Sequence, residues 1–320
     1  MGVNDLGYRS WAGASMPGWS TAVVIATTGV RRAWTIRWLR RLVGVSWFPA
    51  VLCATAIFGT EQALINPDWR EDLRPFINMR LSQSSEAYQL LNSPEMNDTA
   101  KARHLMWSWL LLSFLRYPQA VIMVLAVGII APPLISQDIR SRAFLLYFSR
   151  PLSRTDYIVG KLGTIWFYLA AISMLPALVL YLLGIFLSPS ITVVSATWDL
   201  PFRIVAATAV LSIPTATFAL CLSSMSQESR FAGFAWFATW AIGWVTYAVL
   251  TSAQGFNATG AIDQTKWVNV SPYHVLGRVQ SWVFGFLEFS EVRASAFILL
   301  LVTFCTAIVL HQRVSSPMRQ

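Results

Sequence analysis

The sequence predicts an all-α, polytopic membrane protein with six transmembrane helices, and three observations predict it. Of 320 residues, 55% are hydrophobic and 13% aromatic, while only 12% are charged, about half the charge of a soluble domain. Six stretches of at least 17 residues contain no Asp, Glu, Lys, Arg or His, and about 17–25 apolar residues cross a bilayer as a helix. The charges gather between those stretches instead of spreading through them. A globule in water could not hide so much apolar surface, so the solvent for most of the chain is lipid. Aromatic content and low charge exclude disorder. The three cysteines, Cys53, Cys221 and Cys305, each lie in an apolar run and read as small packing residues, not a disulfide scaffold.

The predicted spans are 43–60, 117–135, 162–187, 204–222, 231–250 and 294–310. The third is long enough to tilt or kink, with Pro176 inside it, and Pro214 interrupts the fourth; neighbouring helices satisfy the carbonyls that such prolines free. The first span reads as retained and not as a cleaved signal. Its basic cluster, Arg31, Arg32, Arg37, Arg40 and Arg41, lies well inside the chain, whereas a signal peptide opens on its charges.

Net charge is +9. In a soluble protein that would suggest nucleic acid, but cytoplasmic loops of membrane proteins also accumulate Lys and Arg. Six spans place both termini on one side. That side holds fourteen basic and four acidic residues, and the other ten basic and eleven acidic. The bias assigns both termini to the cytoplasm, accounts for the positive charge by topology, and leaves no call for a nucleic-acid partner.

The polar stretches follow from the spans. Residues 1–42 form a cytoplasmic N-terminal and elbow segment, in which Trp34, Trp38 and Leu42 recur at four-residue spacing beside Arg37, Arg40 and Arg41. Trp and Arg together are what a helix lying at lipid headgroups uses, so Trp34, Arg37, Trp38, Arg40 and Arg41 are the expected interfacial elbow. Residues 61–106 form an external loop subdomain with turn signals at Asn66-Pro67-Asp68 and Asn92-Ser93-Pro94. Residues 107–115 either extend the second span outward, with Arg116 snorkelling to the interface, or cap that subdomain. Residues 271–291 carry Val275, Val279, Trp282, Val283 and Phe286 at helical spacing; they are too short and polar to span, and fit an external interfacial or re-entrant helix.

Several chemistries are excluded. Ion-coupled carriers bind their ion on Asp, Glu or His within the spans, and these spans have none. His104, His274 and His311 are scattered and form no metal motif. No G-x-S-x-G is present. Gly160-Lys161 is not a P-loop, since Thr155 stands where the first glycine belongs and Leu162 where the hydroxyl belongs. The chain therefore has no catalytic residue, metal site or cofactor of its own to offer, and any energy for active transport comes from a partner.

The loop 136–161 is the most informative segment. Its first part predicts a short helix with Ala143, Phe144, Tyr147 and Phe148 as an apolar surface, ended by Ser149-Arg150-Pro151. Ser153 or Thr155 then caps a second helix, with Asp156 in its first turn. A stiff helix–turn–helix joined directly to two spans suits mechanical coupling; a merely basic cytoplasmic loop is the plain alternative.

At these residues the chain resembles the permease subunits of type-2 ABC transporters. The run Ser149-Arg150-Pro151-Leu152-Ser153-Arg154-Thr155-Asp156-Tyr157-Ile158-Val159-Gly160-Lys161 is similar to their run entering the third span, and the six-span architecture agrees over the whole chain. Gln137-Asp138 stands at the family's acidic position, while Ser141-Arg142-Ala143-Phe144 replaces its Gly-Thr-Leu-like triplet. The resemblance implies a coupling helix docked in a groove of a separate ABC ATPase, which would hold the ATP and Mg. It implies Asp138, Arg140, Arg142, Phe144, Arg150, Pro151, Arg154 and Asp156 as coupling residues, the arginines being equally able to rest on lipid phosphates. It further implies a second permease subunit, as a homodimer or heterodimer, a pathway lined by spans two and five, export over import, and a bacterial inner membrane. Thr239, Thr246 and the aromatics of the fifth span suit an amphiphilic substrate, or simply face lipid. The rival from another class is a non-transporting membrane anchor or assembly factor for soluble partners.

Overall fold

A computed structural model describes residues 18–65, 99–143, 152–188, 192–257 and 267–315. Among the described residues the chain is helical throughout, without strands. Helix α1 is Gly18–Trp34, α2 Arg37–Val45 and α3 Phe48–Ile65. Helix α4, Thr99–Phe114, passes through a π turn at Leu115–Gln119 into α5, Ala120–Arg140. Helix α6, Arg154–Leu169, likewise passes through a π turn at Ala170–Met174 into α7, Leu175–Leu187. There follow α8, Thr192–Thr197; α9, Leu200–Met225; α10, Ser229–Asn257; α11, Pro272–Val283; and α12, Phe289–Ser315.

Six stretches are long and apolar enough to cross a membrane: Arg37–Gln62, Ala100–Arg140, Arg154–Leu187, Val193–Met225, Ser229–Ser252 and Phe289–Val314. Each contains one predicted span, but the helices outrun the apolar segments. Forty-one residues from Ala100 to Arg140 make a helix of about 60 Å, twice the ~30 Å hydrocarbon thickness. The second, third and fourth are the inner helices, 61%, 44% and 67% buried over their most apolar windows, against 17%, 11% and 11% for the first, fifth and sixth.

Prolines shape the long helices in two ways. Pro118 lies inside the π turn of the second span and Pro176 directly after that of the third, so the expected break in the third span is a one-residue bulge, a common response to a missing N–H. Pro214 is carried within continuous α9. At Pro132-Pro133 the fourth span enters the ladder: Ser223 Oγ donates to the Pro132 carbonyl at 2.7 Å and accepts from the N–H groups of Ile135 and Ser136 at 3.2 Å each.

Residues 107–115 extend the second span, and Arg116 does not reach out to headgroups. It lies over Gly277 of α11, where an added Cβ would come within 2.9 Å of its Nε, and its Nη1 is 3.5 Å from Ser281 Oγ. Helix α11 itself is embedded: Val275, Leu276, Gly277, Val279, Gln280 and Ser281 are buried, and Gln280 donates to the Ala207 carbonyl of α9. Of the stretch 61–106, expected to be external, residues 66–98 lie outside the described set.

Candidate coupling site between the second and third spans

Residues 144–151, outside the described set, are flanked by the end of α5 and the start of α6. Helix α5 closes with Ser141 N–H on the Gln137 carbonyl and Arg142 N–H on that of Ile139. Arg142 then turns the chain with φ 53°, the left-handed conformation that suits glycine and costs other residues about 1 kcal/mol. Helix α6 begins on Ser153, whose Oγ accepts from the Asp156 N–H at 3.1 Å and donates to the Asp156 carboxylate at 2.5 Å. Ser153, not Thr155, is therefore the cap, and Asp156 is spent on it.

Three residues close the site. Asp138, buried near the end of α5, receives the Tyr157 hydroxyl at 2.7 Å and the Lys161 ammonium at 2.6 Å on the same oxygen. Tyr157 and Lys161 are one turn apart on α6, so they share a face. Lys161 Nζ also donates to the Leu134 carbonyl at 2.7 Å and sits 5.2 Å from the centre of the Tyr157 ring. The lysine thus has the carboxylate, a carbonyl and a π face around it, the fuller partnering that a buried ion pair requires.

Helix α1 lies along α6, and small residues make the fit. A Cβ on Gly160 would meet Ile25 at 2.7 Å and the Ala22 carbonyl at 2.9 Å, and one on Gly163 would meet Ala26 at 3.2 Å. The Tyr168 hydroxyl donates to the Val30 carbonyl at 2.8 Å, and Trp34 stacks on the Tyr168 ring at 6.3 Å. Arg32 reaches over to α5 and donates to Gln137 Oε1 at 2.8 Å. A cavity of about 400 Å³ is left among the three helices.

The expected coupling residues divide accordingly. Asp138 faces inward and is paired within the chain. Arg140 is 70% exposed and 3.9 Å from Glu228; Arg142 is exposed, and Arg154 and Asp156 occupy the first turn of α6. Phe144, Arg150 and Pro151 lie outside the described residues. The elbow residues are split between two helices: Trp34 ends α1, while Arg37, Trp38, Arg40 and Arg41 are exposed on α2, with the Arg41 guanidinium 5.3 Å from the Trp38 ring centre. Leu39 anchors α2 in the core at 0% exposure. Tyr157, Lys161, Arg32 and Gln137 were not expected as site residues. The signal for the first two was present, as two polar side chains four residues apart at the start of an apolar helix.

Spans two and five are packed together. Trp236 Nε1 donates to the Val124 carbonyl at 2.8 Å, Phe237 covers Gly128, and Gly233 rests on Pro132. Part of the aromatic wall of the fifth span is therefore structural, while Trp244, Phe231 and Phe234 face outward.

Six helices long and apolar enough to cross a membrane define a polytopic transmembrane protein. The description ABC-2 family transporter protein matches residues 40–309, from α2 almost to the end of α12, and the chain belongs to that family. It is a type-2 ABC transporter permease. No curated protein matches the chain.

Proposed function

We propose that this permease subunit moves an amphiphilic substrate across the membrane, powered by ATP hydrolysis on a separate ABC ATPase. The observation that carries the reading is the Asp138–Tyr157–Lys161 clamp at the root of the loop. A force on the loop cannot tilt one of the two spans alone while that clamp holds, so docking of the ATPase on the loop would drive both together. Phe144 would be the buried anchor of that docking, and Arg140, Arg142, Arg150 and Arg154 its cationic rim. Arg150-Pro151 would set the turn, and Asp156 would act through the Ser153 cap. A second permease subunit would complete the pathway, with both termini cytoplasmic and the complex in a bacterial inner membrane. Trp34, Arg37, Trp38, Arg40 and Arg41 would meet lipid headgroups.

The test is co-purification with an ABC ATPase, followed by turnover in liposomes. Replacing Phe144 and Arg150 by Ala should abolish retention of the ATPase while leaving membrane insertion unchanged. Asp138→Asn should retain the ATPase but lose stimulation of its turnover by a transported compound. Undiminished retention in the first variant would overturn the docking assignment. A complex that never responds to any solute would instead leave the chain as a membrane anchor.

A further inference from the structure

The cavity among α1, α5 and α6 has a chemistry of its own. Its walls are Val24, Ile25, Ala33, Ile36, Ile130 and Leu134, and its polar groups are Arg32, Gln137, Asp138, Tyr157 and Lys161. The charges there do not balance locally. Lys161 is neutralised by Asp138 at 2.6 Å, whereas Arg32 bonds only the uncharged Gln137 amide, and among the described residues no carboxylate lies within ion-pair distance of it. Arg32 is exposed, and Arg31, Arg140 and Arg142 are exposed near the same helix ends. An apolar crevice with an uncompensated guanidinium at its polar end fits an amphiphile bearing a negative headgroup.

We infer that this cavity binds an anionic phospholipid from the membrane, with its phosphate on Arg32 and an acyl chain along Val24, Ile25 and Ile130. The volume of about 400 Å³ holds roughly one acyl chain or the glycerol-phosphate part of a lipid, within the range of small-molecule sites. Guanidinium suits phosphate through its paired donors, and Gln137 can yield one of them. The site lies between α1 and the spans, away from the contact of spans two and five. Because Asp138 and Lys161 line it, the bound lipid touches the clamp directly.

The test uses the purified full-length chain and native mass spectrometry after titration with phosphatidylglycerol or phosphatidylcholine. The wild type should retain phosphatidylglycerol in preference, with one tightly held copy per chain. Arg32→Gln should weaken that copy about fivefold, the ~1 kcal/mol that one basic residue near an anionic surface contributes. Thr28→Trp, which fills the cavity from an exposed position, should weaken it without removing a charge. Both variants should remain monodisperse on size exclusion, since neither position is buried. Glycerol phosphate without acyl chains should not displace the lipid; displacement would mean an anion site alone. Equal retention by wild type and both variants, or no preference between the two lipids, would overturn the assignment.

Discussion

Among the described residues two buried carboxylates, Glu61 and Asp138, join helices, and they are held differently. Glu61, at 0% exposure near the end of α3, accepts from Arg103 Nε at 2.8 Å, Trp107 Nε1 at 3.0 Å and Ser188 Oγ at 3.2 Å. It ties together α3, α4 and the end of α7, with Trp107 packed edge-on to Tyr181 and against Gly184. Asp138 ties only α5 to α6, the two helices on either side of residues 144–151, and a cavity adjoins it. The first is a knot among segments distant in sequence; the second is a joint between two helices close in sequence, beside open space. The difference predicts which end is rigid and which end transmits movement.

Glu61→Ala should have the largest effect. It strands the Arg103 guanidinium, which cannot shed its proton, at 12% exposure, and removing one partner of a buried pair costs about 3–5 kcal/mol. Thermal unfolding in detergent should show a fall in Tm large enough to reduce yield. Asp138→Asn should cost less, about 1–3 kcal/mol, because the amide still accepts from Tyr157 and the Lys161 ammonium can move into the cavity. Adding Lys161→Met should restore part of that stability and still leave transport uncoupled. Equal Tm losses for Glu61→Ala and Asp138→Asn would remove the distinction between knot and joint.

The packing of α1 offers a milder probe of the same contrast. Gly160→Val would drive its side chain into the Ala22 carbonyl and Ile25, and backbone cannot yield as a flexible side chain can. Overpacking of this kind costs about 1–3 kcal/mol. It should lift α1 from the third span and break the Trp34–Tyr168 stack, read as a fall in Tm in detergent. Gly59→Ala on α3, where nothing lies within 4 Å of the added Cβ, is the control and should be neutral or slightly stabilising.

The spans were legible because hydrocarbon is an unforgiving solvent: a long run without charge can be read directly. The lengths of the helices were not, because Glu61, Arg103, Arg116, Asp199 and Arg203 find their partners inside the protein. Asp199 takes His104 at 2.9 Å and Arg203 at 2.6 Å, contacts between residues far apart or hidden in an apparent loop. A charge in a one-dimensional reading marks the end of a helix; paired in three dimensions it lets the helix continue. The Asp138–Lys161 pair escaped for the same reason, since 23 positions of chain carry no spacing rule. The site of α1 was partly legible, because Ala22, Ala26 and Gly29 repeat at three- and four-residue intervals opposite Gly160 and Gly163, a small-residue pattern that marks close helix packing in membranes.

The smallest predicted effect concerns the turn into the loop. Arg142 stands within the stretch that replaces the family's glycine-containing triplet, yet its φ of 53° keeps the backbone conformation glycine would adopt freely. The turn costs about 1 kcal/mol at a residue other than glycine, and places a cation just before residues 144–151. Arg142→Gly should therefore leave Tm unchanged or raise it slightly, whereas Leu125→Gly, at an exposed position inside α5, should cost about 1 kcal/mol of stability and lower Tm. If Arg142 contributes to docking, Arg142→Gly should also weaken retention of the ATPase while stability holds. A variant that loses stability and retention together would show that the turn, and not the charge, is what the position supplies.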